Sequence, residues 1–376
     1  MLFFLLIAIF SRPFISAAAF PFLNLIYTCV LLIFLGIYVI YKRLSFSRMP
    51  TLIWPVILFV LALLISIIYS QNKLVSLAEL YKYVSGLLLF LITVFLSEKE
   101  KALTIRVIVE AGFIISFLAI YQYFFGFSHV LNYLSGNQLS SPFATDYLAR
   151  KRVFLPFVTP SILGGYLAMI FPLLLIYKKR FWLILPIFFA LILTQSLGAF
   201  LSLFCALIIY VCVRKKIKMI NLFSLLGVFL LIILILIWRS AAQKEHIQPI
   251  FSTIMRLNYW KGAIEIIKVH PLIGIGLGNF NLNMSRYAHN SYLQIWAEMG
   301  ILGLFSFLWM ICVVIKSYFR DSAQLFYENQ AACLFSASAV FLVHNFLDFT
   351  FFLPEVVFVW WVILGLIMVG NQKGSN

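Results

Sequence analysis

The run His289-Asn290-Ser291-Tyr292-Leu293-Gln294-Ile295-Trp296-Ala297-Glu298-Met299-Gly300-Ile301-Leu302-Gly303 puts an imidazole and a carboxamide where a polar loop becomes an apolar helix. A histidine has an ordinary pKa near 6.5, so an appreciable fraction is neutral at neutral pH, as a general base requires. Asn290 follows directly and is placed to orient the ring or contact a sugar. Glu298 lies nine residues from His289, about two and a half helical turns, so it is expected to satisfy neighbouring helices or loop backbone. A base of this kind pairs naturally with arginines, and Arg256 and Arg152 are the candidates. A guanidinium about 4 Å from a departing diphosphate contributes on the order of 4 kcal/mol at a surface-like dielectric. Its bidentate geometry adds orientation and removes the need for a metal. Trp260 and Lys261, beside Arg256, are further candidates for substrate contact.

Other chemistries are poorly supplied. The chain has twelve carboxylates, no Asp-x-Asp and no His/Cys cluster with zinc spacing, so no metal and no cofactor is assigned. Gly274-Ile275-Gly276-Leu277-Gly278-Asn279 follows a helical stretch instead of a strand, which argues against a dinucleotide fingerprint. It reads as a turn returning the chain to His289, with backbone N–H groups available to an oxyanion. His129, His246 and His270 fall in loops and read as solvated; His344, with Asn345 and Asp348 one turn onward, reads as a buried hydrogen-bond network. Cys29, Cys205, Cys212, Cys312 and Cys333 all fall in apolar spans and read as packing residues, not as a disulfide or metal framework.

The elements that must position these groups are membrane helices. Apolar residues make up 64% of the 376 and charged residues 11%, and mean hydropathy is +1.06, which no soluble fold needs. Spans of roughly 20 apolar residues are predicted near 2–20, 22–41, 52–69, 81–97, 105–125, 159–177, 181–197, 199–213, 219–238, 291–315, 330–347 and 354–370. This is an all-α integral membrane protein with about twelve transmembrane helices, in one polytopic domain over 1–376. Arg12-Pro13 interrupts the first apolar run; no basic residue precedes that run, so it reads as an uncleaved first helix. The net charge of +16 resolves into topology, not nucleic-acid binding. Lys42, Arg43 and Arg48, Lys99, Lys101 and Arg106, Lys178 to Arg180, Arg214 to Lys218, Lys316, Arg320 and Lys373 fall between alternate spans, which predicts cytoplasmic N and C termini.

Arg150, Lys151, Arg152, Arg239, Lys244, Arg256, Lys261, Lys268 and Arg286 lie on the opposite face, in loops near 126–158 and 239–290. Positive charge there predicts an anionic partner, either a phosphate substrate or membrane headgroups. Within the longer loop, 253–268 reads as an amphipathic interfacial helix, with Ile254, Leu257, Ile264 and Ile267 on its apolar face and Tyr259 and Trp260 at headgroup depth. Pro271 ends it.

These residues resemble the O-antigen ligase / O-antigen polymerase superfamily, the Wzy-C-type membrane glycosyltransferases. The ligase signature is His, then Asn, Ser or Gln, nine residues, Gly, two residues, then Gly, Thr or Tyr; His289, Asn290, Gly300 and Gly303 satisfy it. Arg256 to Ala263 and His270 to Gly276 look like the family's long periplasmic loop, and Arg152 to Pro160 with Gly164-Gly165-Tyr166-Leu167 like its entry to the sixth helix. The likeness covers roughly 140–370. One departure is Ser196-Leu197-Gly198, where the family often has Ser-Arg-Gly between the seventh and eighth helices; that arginine's task is then lost or moved, with Arg152 the candidate to take it.

The resemblance implies a GT-C-like fold in a bacterial inner membrane, with a periplasmic active site. It implies transfer of a glycan from undecaprenyl diphosphate to an acceptor hydroxyl, inverting and metal-independent. The acceptor is lipid A–core for a ligase, a growing glycan for a polymerase, or a protein hydroxyl for an oligosaccharyltransferase, with ligase ranked first. A flippase for lipid-linked glycans is the competing class. It fits less well, because charges within the predicted spans reduce mainly to Glu110, Glu298 and Asp348, plus Arg12, and no repeated broken-helix pair appears.

Overall fold

In a computed structural model, residues 1–129, 147–148, 150–177, 181–214, 223–224, 227–232, 234–235, 238, 251–282, 285–321 and 328–368 are described. Lys178, Lys179, Arg180, Lys215, Lys216, Lys218, Arg239, Lys244, His246 and Lys373 lie outside them, as does much of the predicted span 219–238.

The described chain is helical, apart from one isolated bridge between Leu282 and Ser285. The helices are α1 (Leu2–Ser11), α2 (Pro21–Lys42), α3 (Pro50–Ile68), α4 (Lys73–Val94), α5 (Glu98–Tyr121), α6 (Pro160–Leu174), α7 (Ile184–Thr194), α8 (Leu197–Val213), α9 (Phe251–Val269), α10 (Ser291–Asp321), α11 (Glu328–His344) and α12 (Pro354–Ile367). Among the described residues, five helices are long and apolar enough to cross a membrane: α2, α3, α4, α5 and α10. Six shorter apolar helices accompany them, α1, α6, α7, α8, α11 and α12.

Burial separates two kinds of apolar helix. Every residue of α12 is buried, and α12 packs on α4, where a Cβ on Gly86 would lie 2.2 Å from Trp361 Nε1. By contrast α2 leaves Phe22 74% and Ile40 78% exposed. An apolar helix with such an outer face is stable against hydrocarbon and unstable against water. The chain is an integral membrane protein. Around α12, α10 packs on α3, α8 and α6 on α11, α7 on α5, and α9 on α10.

Three expectations need correction. The first helix stops at Ser11 instead of running to 20, because Arg12-Pro13 enters a short 3₁₀ turn and Arg12 turns inward, donating to Asn24 Oδ1 at 2.6 Å. A buried guanidinium is tolerated there because Glu355 lies 3.8 Å away and the Tyr27 and Phe358 rings flank it. Next, α4 begins at Lys73, capped by Asn72 Oδ1 accepting from Val75 N at 3.2 Å, and so carries Glu79 and Lys82 within it. These two, with Glu355 in α12, are intrahelical charges that the hydropathy reading left out. Finally, Tyr259 and Ile267 of α9 leave the expected interfacial face and are buried with Met255 and Ala263, whereas Ile254, Leu257 and Ile264 are more than 40% exposed. Against a protein neighbour, the i, i+4 row that includes Ala263 permits the closest approach.

Candidate active site

The short loops at one end of the bundle converge on His289. Asn290 caps α10, its Oδ1 accepting from Tyr292 N at 3.0 Å and Leu293 N at 3.1 Å. Asn290 is thereby engaged with the helix start and not with the His289 ring. The next residue ties this start to the turn after α11: Ser291 N donates to Asn345 O at 2.8 Å and Ser291 Oγ to Asn345 Oδ1 at 2.6 Å. Just before the cap, His289 takes φ 51, a left-handed conformation that a non-glycine residue adopts only when its surroundings hold it there. Trp260 Nε1 donates to the His289 carbonyl at 3.3 Å and supplies part of that hold.

Aromatic rings hold the imidazole on two sides. Tyr259 of α9 stacks on it with centroids 5.3 Å apart and planes at 19°, and Phe349 meets it edge-on at 4.7 Å. Tyr259 is therefore a wall of the site and not a headgroup anchor. Asp348 lies on the inner side, its Oδ1 4.0 Å from His289 Nδ1, an ion-pair distance too long for a hydrogen bond. Nδ1 is buried without a hydrogen-bond partner, while the ring as a whole keeps 27% of its surface. With a carboxylate facing Nδ1, the neutral ring carries its proton there and presents Nε2 outward.

Burial pushes the His289 imidazole down from its ordinary 6.5 to about 4; the Asp348 carboxylate opposes this and the Arg256 charge adds to it. The ring is thus neutral at neutral pH. For Asp348, burial on its own would raise the carboxyl, but contact with His344 and the charge of Arg256 help hold it well below the usual carboxylate range. Phe349 N donates to Asp348 Oδ1 at 2.9 Å, and the Ser161 hydroxyl donates to Oδ2. Asp348 therefore stays an anion under the imidazole.

Arg256 sits half-buried on α9, three residues before Tyr259, on the face that meets the site. Lys261 is exposed and lies five residues from Arg256, on a different side of α9. Arg152 Nε donates to Thr194 O at 3.1 Å, and its guanidinium lies over the Tyr147 ring at 5.3 Å. Arg152 is buried against the end of α7, beside the Ser196-Leu197-Gly198 turn.

The glycine-rich turn docks the loop instead of offering donors. Gly274, Ile275, Gly276, Gly278 and Asn279 all give their N–H groups to protein acceptors, among them Ala297 O, Glu298 O and Glu298 Oε2. The expected oxyanion donors from these residues are thus already taken. Buried Glu298 holds this turn, accepting from Gly278 N at 2.9 Å and Gln294 Nε2 at 2.9 Å. The motif glycines have matching reasons. Gly300 breaks α10 with φ 68 and ψ −175, and a Cβ there would lie 2.0 Å from Leu272 O. At Gly303 a Cβ would lie 2.4 Å from Met299 Cβ.

Sequence reasoning did not place Asp348, Phe349 or Tyr259 around the imidazole. Asp348 is 59 positions from His289 and reaches it only because α10 and α11 meet at Ser291 and Asn345, which no local spacing reveals. Among the described residues no three His, Cys, Asp or Glu side chains converge as metal ligands would.

Residues 181–308 match the family model described as O-antigen ligase. Over that segment, about a third of the chain, the sequence is similar to the O-antigen ligase family. The matched segment takes in α7 to α9, His289, Asn290, Gly300 and Gly303, while Arg152, His344 and Asp348 lie outside it. No curated protein matches the chain significantly. The O-antigen ligase match supports a membrane glycosyltransferase of the ligase or polymerase type.

Proposed function

We propose that this protein transfers a glycan from undecaprenyl diphosphate to an acceptor hydroxyl on the periplasmic face of a bacterial inner membrane, with lipid A–core the first-ranked acceptor. The single observation that carries the reading is the His289 ring at the entrance to α10, with the Asp348 carboxylate 4.0 Å from its Nδ1. The acceptor oxygen attacks the anomeric carbon and its proton passes to His289 Nε2. The bond from that carbon to the diphosphate oxygen breaks with inversion, and the diphosphate leaves as an anion held by Arg256. Trp260 flanks the donor on the loop helix, with Arg152 a further anion contact and Lys261 an outer one on the exposed side of the helix. Glu298, Gly300 and Gly303 keep the loop docked. No step calls on a metal.

The low proton affinity of the free ring suits a donor-dependent base. Moving the imidazole from 6.5 to about 4 corresponds to roughly 3 kcal/mol against the charged ring. A bound diphosphate would offset the Arg256 charge that contributes to this. Proton uptake then strengthens when the donor is present, which suppresses idle protonation.

A growing glycan (polymerase) or a protein hydroxyl (oligosaccharyltransferase) as acceptor, and a flippase without chemistry, are the alternatives. Reconstitution into liposomes with a lipid-linked oligosaccharide and each acceptor separates them. The proposal expects a covalent glycan–acceptor product, with lipid A–core preferred. Lipid-linked glycan that crosses the bilayer with no covalent product would replace it with the flippase.

A further inference from the structure

We propose that His344 is a positioning residue for the transfer reaction, fixing the Asp348 carboxylate that faces His289. The proposal rests on the reading of His289 as the base. Asp348 stands between two imidazoles: Oδ1 is 4.0 Å from His289 Nδ1, and Oδ2 is 3.4 Å from His344 Nε2. His344 closes α11 one helical turn before Asp348 and is 1% exposed. Neither of its ring nitrogens has a hydrogen-bond partner in the protein, so the Asp348 contact is the polar interaction open to Nε2.

The surroundings are cut to admit this ring. A Cβ on Gly165 of α6 would lie 2.5 Å from both Cδ2 and Nε2 of His344, and a Cβ on Gly198 of α8 would lie 3.5 Å from its Cε1. The ring thus excludes any side chain at Gly165, while a Cβ at Gly198 would be in ordinary contact with it. If only packing were needed, an apolar side chain would fill the space without burying two polar nitrogens. Ser161 donates to the same Oδ2, so hydroxyl and imidazole together set the carboxylate plane and leave Oδ1 turned to His289. Phe349 N holds Oδ1 from the chain side at 2.9 Å. His344 touches neither donor nor acceptor in this arrangement and acts through Asp348.

The experiment measures kcat and KM of the full-length protein in liposomes for His344→Leu, His344→Gln, Gly165→Ala and the Gly165→Ala/His344→Leu pair, with unfolding temperatures alongside. His344→Leu should lower kcat about tenfold to a hundredfold with KM unchanged, as a misoriented catalytic group does. His344→Gln, whose amide nitrogen reaches about where Nε2 sits, should stay within about threefold of wild type. Gly165→Ala should copy the leucine variant, and the pair should lose no more than either alone, because both act through one contact. Wild-type kcat in His344→Leu overturns the proposal. So does an equal loss in the leucine and glutamine variants together with a lowered unfolding temperature, which marks packing alone. If the leucine variant does not fold, wild-type kcat in Gly165→Ala overturns it instead. Activity surviving in His289→Ala removes the base reading itself, an outcome distinct from any of these.

Discussion

At the scale of single residues, the balance at His289 has a measurable consequence. Burial lowers the ring to about 4, against the pull of Asp348, so the free protein keeps a neutral base well into acid. The pH profile of kcat/KM should therefore fall on an acid limb near 4, below the ordinary 6.5, and the limb of kcat should lie higher, because bound diphosphate opposes Arg256. Both limbs at 6.5 would contradict the burial described. Stability carries the same sign. Between 6.5 and about 4 the unfolded chain binds a proton at this position that the folded chain refuses, so this group's contribution falls as pH drops through that window. Arg256→Ala should cost activity tenfold or more, and Arg256→Lys less, since lysine keeps the charge and loses the bidentate fork. Equal, wild-type rates for both variants in the liposome assay would remove Arg256 from the site.

At the scale of elements, the motif His289-Asn290 followed by Gly300 and Gly303 is a docking device as much as a catalytic one. Gly300 interrupts α10 so that the Pro271-Leu272 backbone can lie against it, and Ile301 N donates to Pro271 O at 2.9 Å. Gly300→Ala forces a side chain into a conformation reserved for glycine, at a cost on the order of 1–3 kcal/mol before the contact with Leu272 O is counted. Hydrogen exchange over 271–279 should speed up in that variant while the helix bundle stays protected. Unchanged protection of 271–279 would show that the kink does not hold the loop. The helices themselves were legible in hydropathy, and the loop helix in its amphipathic spacing. Two things were not. The face that α9 buries depends on what α10 offers it, and Tyr259 looks like an interfacial anchor until its ring is found on His289. The start of α4 is set by the Asn72 cap, and reading it from the apolar run alone left Glu79 outside the helix.

At the scale of the whole molecule, the fold is a set of apolar helices around buried α12, with its polar chemistry gathered where loops meet at one end. His289 was legible as an ionisable group at a helix entrance. Asp348 was legible only as a buried acid near His344, because its partnership with His289 crosses from α10 to the turn after α11. Arg152, which sequence reasoning set beside Arg256, braces the end of α7 through Thr194 O, a contact that no local spacing reveals. The central claim is that one neutral imidazole accepts the acceptor's proton. The most direct measurement is glycan transfer by purified His289→Ala in liposomes, with its insertion and unfolding temperature compared with wild type. Transfer should be lost while the protein stays inserted and folded; transfer at the wild-type rate in a folded variant would show that His289 is not the base.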